Sequence, residues 1–298
     1  MNVLDLFSGI GGFSLGLERA GMRTVAFCEI EPYCQAVLRR HWPDIPIFDD
    51  VRTLTATDVS NAACQQMGTS GQSRINSGMV DLICGGFPCQ DISVAGKGLG
   101  LAGSRSGLWK EYARLIGEIR PRYIIVENVS ALLGRGLSDV LGDLATLGYD
   151  SEWHCVPASA VGAPHLRDRV WIIAYPQHTN TDSQRPYRAK MHIDGSVELR
   201  NKQICKPGSF REYVANGNQP RLERWIRTGL QECANEQSAW TRDPSTYDRT
   251  RQPESFVGRV AHGVPARMDR LKALGNAIVP QIAEIIGKAI MSHEQSVS

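Results

Sequence analysis

No Cys-x-x-Cys pair occurs among the eight cysteines, Cys28, Cys34, Cys64, Cys84, Cys89, Cys155, Cys205 and Cys233. A zinc site or a thioredoxin-like redox centre is therefore without support, and no metal is expected. Charge of one sign is missing as well: 33 Lys and Arg against 31 Asp and Glu leave a net charge of +2. That is too little to identify a polyanionic partner, so any basic surface has to be local. Apolar runs of membrane-spanning length are absent too. The amino terminus is apolar but is interrupted by Asp5 and by Gly9, Gly11 and Gly12, so neither a signal peptide nor a membrane span is expected. Free thiols fit a reducing, cytoplasmic setting, and no internal repeat is visible. What 298 residues with 42% hydrophobic content do allow is one large α/β domain plus a smaller one.

Strand and helix patterns alternate through residues 1–176. Strands are expected at Val3–Phe7, Arg23–Cys28, Val80–Cys84, Tyr123–Val126, Glu152–Val156 and Val170–Ala174, and helices at Gly12–Ala20, Pro32–Arg40, Gly107–Ile119 and Leu137–Leu147. This is the pattern of a doubly wound, Rossmann-like parallel sheet. Between Thr57 and Gly78 the apolar rhythm stops and Ser, Asn, Gln and Gly dominate, which reads as an exposed insertion. Across residues 177–255 Arg, Asn, Gln and Pro rise and long apolar runs vanish; Leu222–Leu230 is a candidate short helix, and a disordered loop is the alternative. Order resumes over residues 256–298, ending in an amphipathic helix at Gln281–Met291.

Three motifs stand at strand ends. Asp5-Leu6-Phe7-Ser8-Gly9-Ile10-Gly11-Gly12-Phe13 is a strand running into a glycine turn that lets backbone approach a nucleotide-like cofactor. Pro88-Cys89-Gln90 puts a thiol, and Glu127-Asn128-Val129 a carboxyl, after two later apolar runs. With Arg167 and Arg169 in Gly162-Ala163-Pro164-His165-Leu166-Arg167-Asp168-Arg169, and Leu274-Gly275-Asn276-Ala277-Ile278-Val279-Pro280 near the carboxyl end, five motifs occur in a fixed order. The set resembles the DNA (cytosine-5)-methyltransferase family of prokaryotic or phage type, over residues 1–175 and 256–298.

The resemblance implies S-adenosyl-L-methionine as cofactor and double-stranded DNA as substrate, methylated at carbon 5 of cytosine through a covalent cysteine adduct after base flipping. Cys89 would be the nucleophile, Glu127 the donor at ring nitrogen 3, and Arg167 the holder of the base carbonyl oxygen, with Arg169 sharing that role or anchoring Glu127. Cofactor contacts would come from Phe7, Ser8, Gly9, Gly11, Gly12, Glu29, Ile30, Asp50, Pro88 and Asn276. Glu29 is the residue type that takes ribose hydroxyls with both oxygens, Ile30 would pack on adenine, and Asp50 would accept from its amino group. The Gly-rich stretch after Cys89 reads as a cationic loop, with Gln90, Ser93, Lys97 and Arg105 on the DNA. The polar segment 177–255 becomes a target-recognition lobe inserted into the catalytic domain. A monomer is expected, and a cognate restriction endonuclease is a partner this family allows.

His165 stands where the family usually has Gln, and Ala273 where Gln often precedes x-Gly-Asn. The first puts a loop contact in doubt; the second leaves Gly275, Asn276 and Pro280 intact. Three rivals are weighed against this reading. A transfer-RNA methyltransferase of the same family would carry a Cys-Phe-Thr signature in the second lobe, and none is seen. A catalytically dead DNA-binding relative would lack some of Cys89, Glu127 and Arg167. A nicotinamide enzyme would show Gly-x-Gly-x-x-Gly, whereas the spacing here is Gly9-x-Gly11-Gly12. Cys28, Cys34, Cys84 and Cys155 read as core residues.

Overall fold

A computed structural model of the chain describes residues 1–67, 79–88, 107–163, 165, 167–177, 228–230 and 267–297. Among them seven strands form one sheet: β1 (Asn2–Leu6), β2 (Arg23–Cys28), β3 (Ile47–Phe48), β4 (Leu82–Gly85), β5 (Tyr123–Val129), β6 (Tyr149–Pro157) and β7 (Asp168–Pro176), in the order β3-β2-β1-β4-β5-β7-β6. The helices are α1 (Gly12–Arg19), α2 (Pro32–His41), α3 (Ala56–Met67), α4 (Leu108–Ile119), α5 (Leu132–Arg135), α6 (Leu137–Thr146), α7 (Arg267–Asn276) and α8 (Pro280–Val297).

The central strands are buried on both faces and so read as nearly continuous apolar runs. Alternation within them still assigns the faces. Leu4, Leu6, Ile83, Ile124, Val126 and Ile172 point into one core with Trp109, Tyr112 and Leu115 of α4 and Val140 and Leu144 of α6. Val3, Leu82, Cys84, Ile125, Trp171 and Ile173 point into the other, with Phe13 and Leu17 of α1 and Ile282, Ala283, Ile286 and Ile290 of α8. The carboxyl-terminal helix thus lies on the same face as the first helix, from the far end of the chain. Small residues let these two helices approach closely: a Cβ on Gly16 would stand 2.7 Å from Ala283 Cβ and 2.9 Å from Glu284 N.

Two expectations are corrected. The sheet is parallel only from β3 to β5; β7 runs antiparallel to β5, and β6 antiparallel to β7. Residues 158–167 join β6 to β7 and begin with a 3-10 turn at Ala158–Val161, whereas a parallel connection needs a crossover of a dozen or more residues. The stretch 57–78 is not a plain exposed insertion, because its first part is helix α3, which buries Val59, Ala62 and Ala63 against the sheet. Of the candidate helix Leu222–Leu230, residues 228–230 are described, and they are helical.

Candidate active site

Parallel register sets the site. Leu6 pairs with Gly85, and Gly85 with Val126, so the carboxyl ends of β1, β4 and β5 stand side by side. The segments leaving these strands are therefore gathered at one edge: the glycine turn, Pro88, and Glu127 with Asn128. Ligands in open α/β sheets bind at this edge.

The turn is held from within and from β2. Phe7 takes φ +53°, unusual for a residue with a side chain, and its ring stacks 6.3 Å from Tyr112. Ser8 Oγ donates to the Asp5 carbonyl at 2.6 Å, Gly11 N to Ser8 O at 2.9 Å, and Gly9 N to Glu29 Oε2 at 2.7 Å. Glu29 Oε1 accepts from Glu31 N at 2.8 Å. Its carboxylate therefore ties the two loops together, and each oxygen keeps a further lone pair for a ligand hydroxyl. Ile30 beside it is 60% exposed, an apolar side chain lying open next to a buried acid. Asp50 pairs with Arg52, whose Nη2 lies 2.6 Å from Oδ2, and this pairing lowers its pKa. Gly11, at φ +84°, sits so close to the Trp42 ring that a Cβ there would come within 2.5 Å of it.

Glu127 is the perturbed acid of β5. Burial raises its pKa from 4.5 to about 7, although Arg169 and Arg167 oppose that rise, and Arg169 Nε sits 2.9 Å from Oε1. Burial outweighs the two cations, so the carboxyl holds its proton in part near neutral pH. A Cβ on Gly86 would lie 2.8 Å from Glu127 Oε2; the absent side chain is what gives the acid its room. Asn128 Nδ2 donates to Phe87 O at 3.1 Å, fastening the end of β5 to the backbone just ahead of Pro88 and Cys89.

The two arginines part company. Arg169 faces Glu127, whereas Arg167, at φ +35°, donates from Nη1 to Gly275 O and from Nη2 to Ala277 O, both at 2.7 Å. Asn276, between those two carbonyls, is exposed, and Lys272 of α7 reaches Glu31 at 2.6 Å. His165 is exposed. Ala273 is buried, a place where a Gln amide would need partners of its own. Cys89, Gln90, Ser93, Lys97 and Arg105 lie outside the described residues.

Several supports were not legible as site residues. Asp5, fully buried, accepts from Ser14 Oγ at 2.7 Å, and burial raises its pKa to about 7. Gln35 Nε2 binds Glu29 O at 2.7 Å and Asp49 Oδ1 at 2.9 Å, while Trp42 Nε1 donates to Glu18 at 2.9 Å. Burial pushes the thiols of Cys28 and Cys34 up, to about 12 and about 11, and that of Cys84 up as well. All three are buried, as core residues should be, and none is disposed to ionise; Cys155 is half-buried. Among the described residues no group of three or more His, Cys, Asp or Glu could hold a metal ion, and no helix is long and apolar enough to cross a membrane.

The profile of the C-5 cytosine-specific DNA methylase family matches residues 1–242. Type II methyltransferase M2.BsuMI of Bacillus subtilis (strain 168) is 37% identical over 182 residues, 58% of this chain and 42% of that protein. Type II methyltransferase M.AquIA of Picosynechococcus sp. (strain ATCC 27264 / PCC 7002 / PR-6) is 27% identical over 215 residues, covering 68% of this chain and 83% of that one. The chain thus spans less than half the length of the first of these relatives. A solved structure from an E. coli prophage, assigned as a DNA modification methyltransferase, superimposes with a TM-score of 0.56 at 20% identity over 99% of both chains, a likeness of fold.

Proposed function

Given that the chain belongs to the C-5 cytosine-specific DNA methylase family, we propose that it transfers a methyl group from S-adenosyl-L-methionine to carbon 5 of a cytosine flipped out of double-stranded DNA. One observation supports this most: Asn128 grips the Phe87 carbonyl, two residues before Cys89, while the neighbouring Glu127 is kept partly protonated by burial. An acid of suitable pKa beside the backbone that leads to the proposed nucleophile is what cytosine activation asks for.

The cofactor supplies an electrophilic methyl on a sulfonium. The residues present fit it: the Phe7–Gly12 turn offers close backbone, Glu29 offers lone pairs for ribose hydroxyls, and Ile30 offers an open apolar face for adenine. Pro88 and Asn276 flank the same edge. Asp50 can take the adenine amino group if its Arg52 pair opens.

Carbon 5 of cytosine is a weak nucleophile because the ring is electron-poor. Cys89 as thiolate adds to carbon 6, and the displaced electron pair moves toward nitrogen 3, where Glu127 delivers its proton. Arg169, at 2.9 Å from Glu127, would steady the carbonyl oxygen as charge grows on it. The enamine so formed would be nucleophilic at carbon 5, the atom that would take the methyl as the sulfonium becomes a neutral thioether; loss of the carbon 5 proton to a base would then expel the Cys89 thiolate, and return of the nitrogen 3 proton to Glu127 would leave the aromatic ring restored. Gln90, Ser93, Lys97 and Arg105 would contact the DNA, and residues 177–255 would choose the site. A restriction endonuclease sharing that site is the partner this reading allows.

Expression in a host without cytosine methylation, followed by bisulfite sequencing, tests the proposal. Cytosines in one recurrent context should resist conversion with wild type and convert fully with Cys89→Ala. No protected cytosine, or transferred methyl label found in RNA instead of DNA, would contradict it.

A further inference from the structure

Arg167 sits in the arginine pair of the target side, yet both of its terminal nitrogens are committed elsewhere. They bridge the carbonyls of Gly275 and Ala277, the two residues flanking Asn276, each at 2.7 Å. These oxygens belong to the end of α7 and the turn after it, where helix carbonyls lack partners and carry partial negative charge. A planar guanidinium spans two such acceptors at once; an ammonium serves them as a point charge. The same turn is held on its other side by the glycine loop, since a Cβ on Gly12 would come within 2.9 Å of Ile278 O and 3.2 Å of Ile278 Cβ. Residues 275–278 are thereby clamped between the first residue of α1 and Arg167. Arg167 itself holds φ +35°, a backbone strain that its two bonds help to maintain.

We propose that Arg167 is a positioning residue for the cofactor, acting through the 275–278 turn to fix Asn276 against the glycine loop, and that it does not touch the target base. The task at the base carbonyl oxygen then falls to Arg169 alone, two residues along β7 and in contact with Glu127. This inference rests on the functional reading above, in that it assumes the glycine loop and Asn276 hold S-adenosyl-L-methionine.

A double-mutant cycle separates positioning from direct contact. Wild type, Arg167→Ala, Arg167→Lys, Asn276→Ala and the two double variants are compared by calorimetric titration with S-adenosyl-L-methionine in the absence of DNA, by melting temperature, and by single-turnover transfer at saturating cofactor. Arg167→Ala and Asn276→Ala should each weaken cofactor binding about tenfold, and together no more than the weaker single variant, because coupled residues are not additive. Arg167→Lys should lie between wild type and Arg167→Ala, and the saturated single-turnover rate should change about threefold or less in all of them. Melting separates this from a folding defect; should Arg167→Ala fail to fold, the Arg167→Lys/Asn276→Ala cycle decides by the same criterion. Cofactor affinity unchanged while the saturated rate collapses would put Arg167 on the base and overturn the proposal. Losses that multiply in the double variant would overturn it equally. A wild type that binds no S-adenosyl-L-methionine would instead strike the functional reading itself.

Discussion

Glu127 shows how environment, and not residue type, decides a role. An exposed glutamate is ionised at neutral pH and has no proton to give; burial shifts this one to about 7 against the pull of Arg169 and Arg167. That shift fixes the sign of the pH effect. A donor has to be protonated in the free enzyme, so kcat/KM should decline as pH rises through about 7. Glu127→Gln should lower the single-turnover rate by ~10²–10⁴-fold and abolish that alkaline limb, with DNA affinity altered far less. A rate near wild type, or an unchanged limb, would assign the acid to another group. Glu127 itself was legible in sequence because an apolar run ending in Glu-Asn is a local pattern. The division of labour between Arg167 and Arg169 was not, since the partners of Arg167 are 108 and 110 residues away.

At the scale of elements, the pairing of α1 with α8 returns the carboxyl-terminal block to the glycine turn after β1. Gly16 is the close-approach point, where an added Cβ meets Pro280 O and Ala283 Cβ. Backbone oxygen cannot rotate aside. Gly16→Ala should therefore destabilise by about 1–3 kcal/mol, outweighing the helix propensity gain of up to ~1 kcal/mol. Gly142→Ala in α6, with nothing within 4 Å of the new methyl, should be neutral or stabilising. Melting curves of both variants check this, and a Gly16→Ala protein as stable as wild type would deny the tight packing. Most strands and the helices α1, α2, α4, α6 and α8 were legible because apolar runs and helical stripes are strong local signals. Helix α3 was missed because its inward face is Val59, Ala62 and Ala63, small residues that barely raise the apolar count. The antiparallel β6–β7 pair left no trace: residues 157–169 between the expected strands are enough for a crossover, and only the observed extension of both strands shortens the connection.

For the whole molecule, the family profile spans residues 1–242, while the structure brings residues 280–290 onto the same core as residues 3–17. Described residues from both ends of the chain thus pack into one core on one face of the sheet. Which DNA sequence is recognised was not legible, because base choice rests on side chains presented from a scaffold and no residue code converts composition into bases. The proposed chemistry is a different matter: it was read from motifs at three strand ends, and register sets those strand ends side by side, with Cys89 itself outside the described residues. The most direct test is therefore of the bond that this edge is proposed to make. Purified protein is incubated with S-adenosyl-L-methionine and duplex DNA carrying 5-fluorocytosine at the methylated position, where fluorine at carbon 5 blocks the final elimination. A covalent protein–DNA complex whose crosslinked peptide contains Cys89, and which Cys89→Ala fails to form, is the predicted result; no complex, or a crosslink through any other residue, would contradict the account.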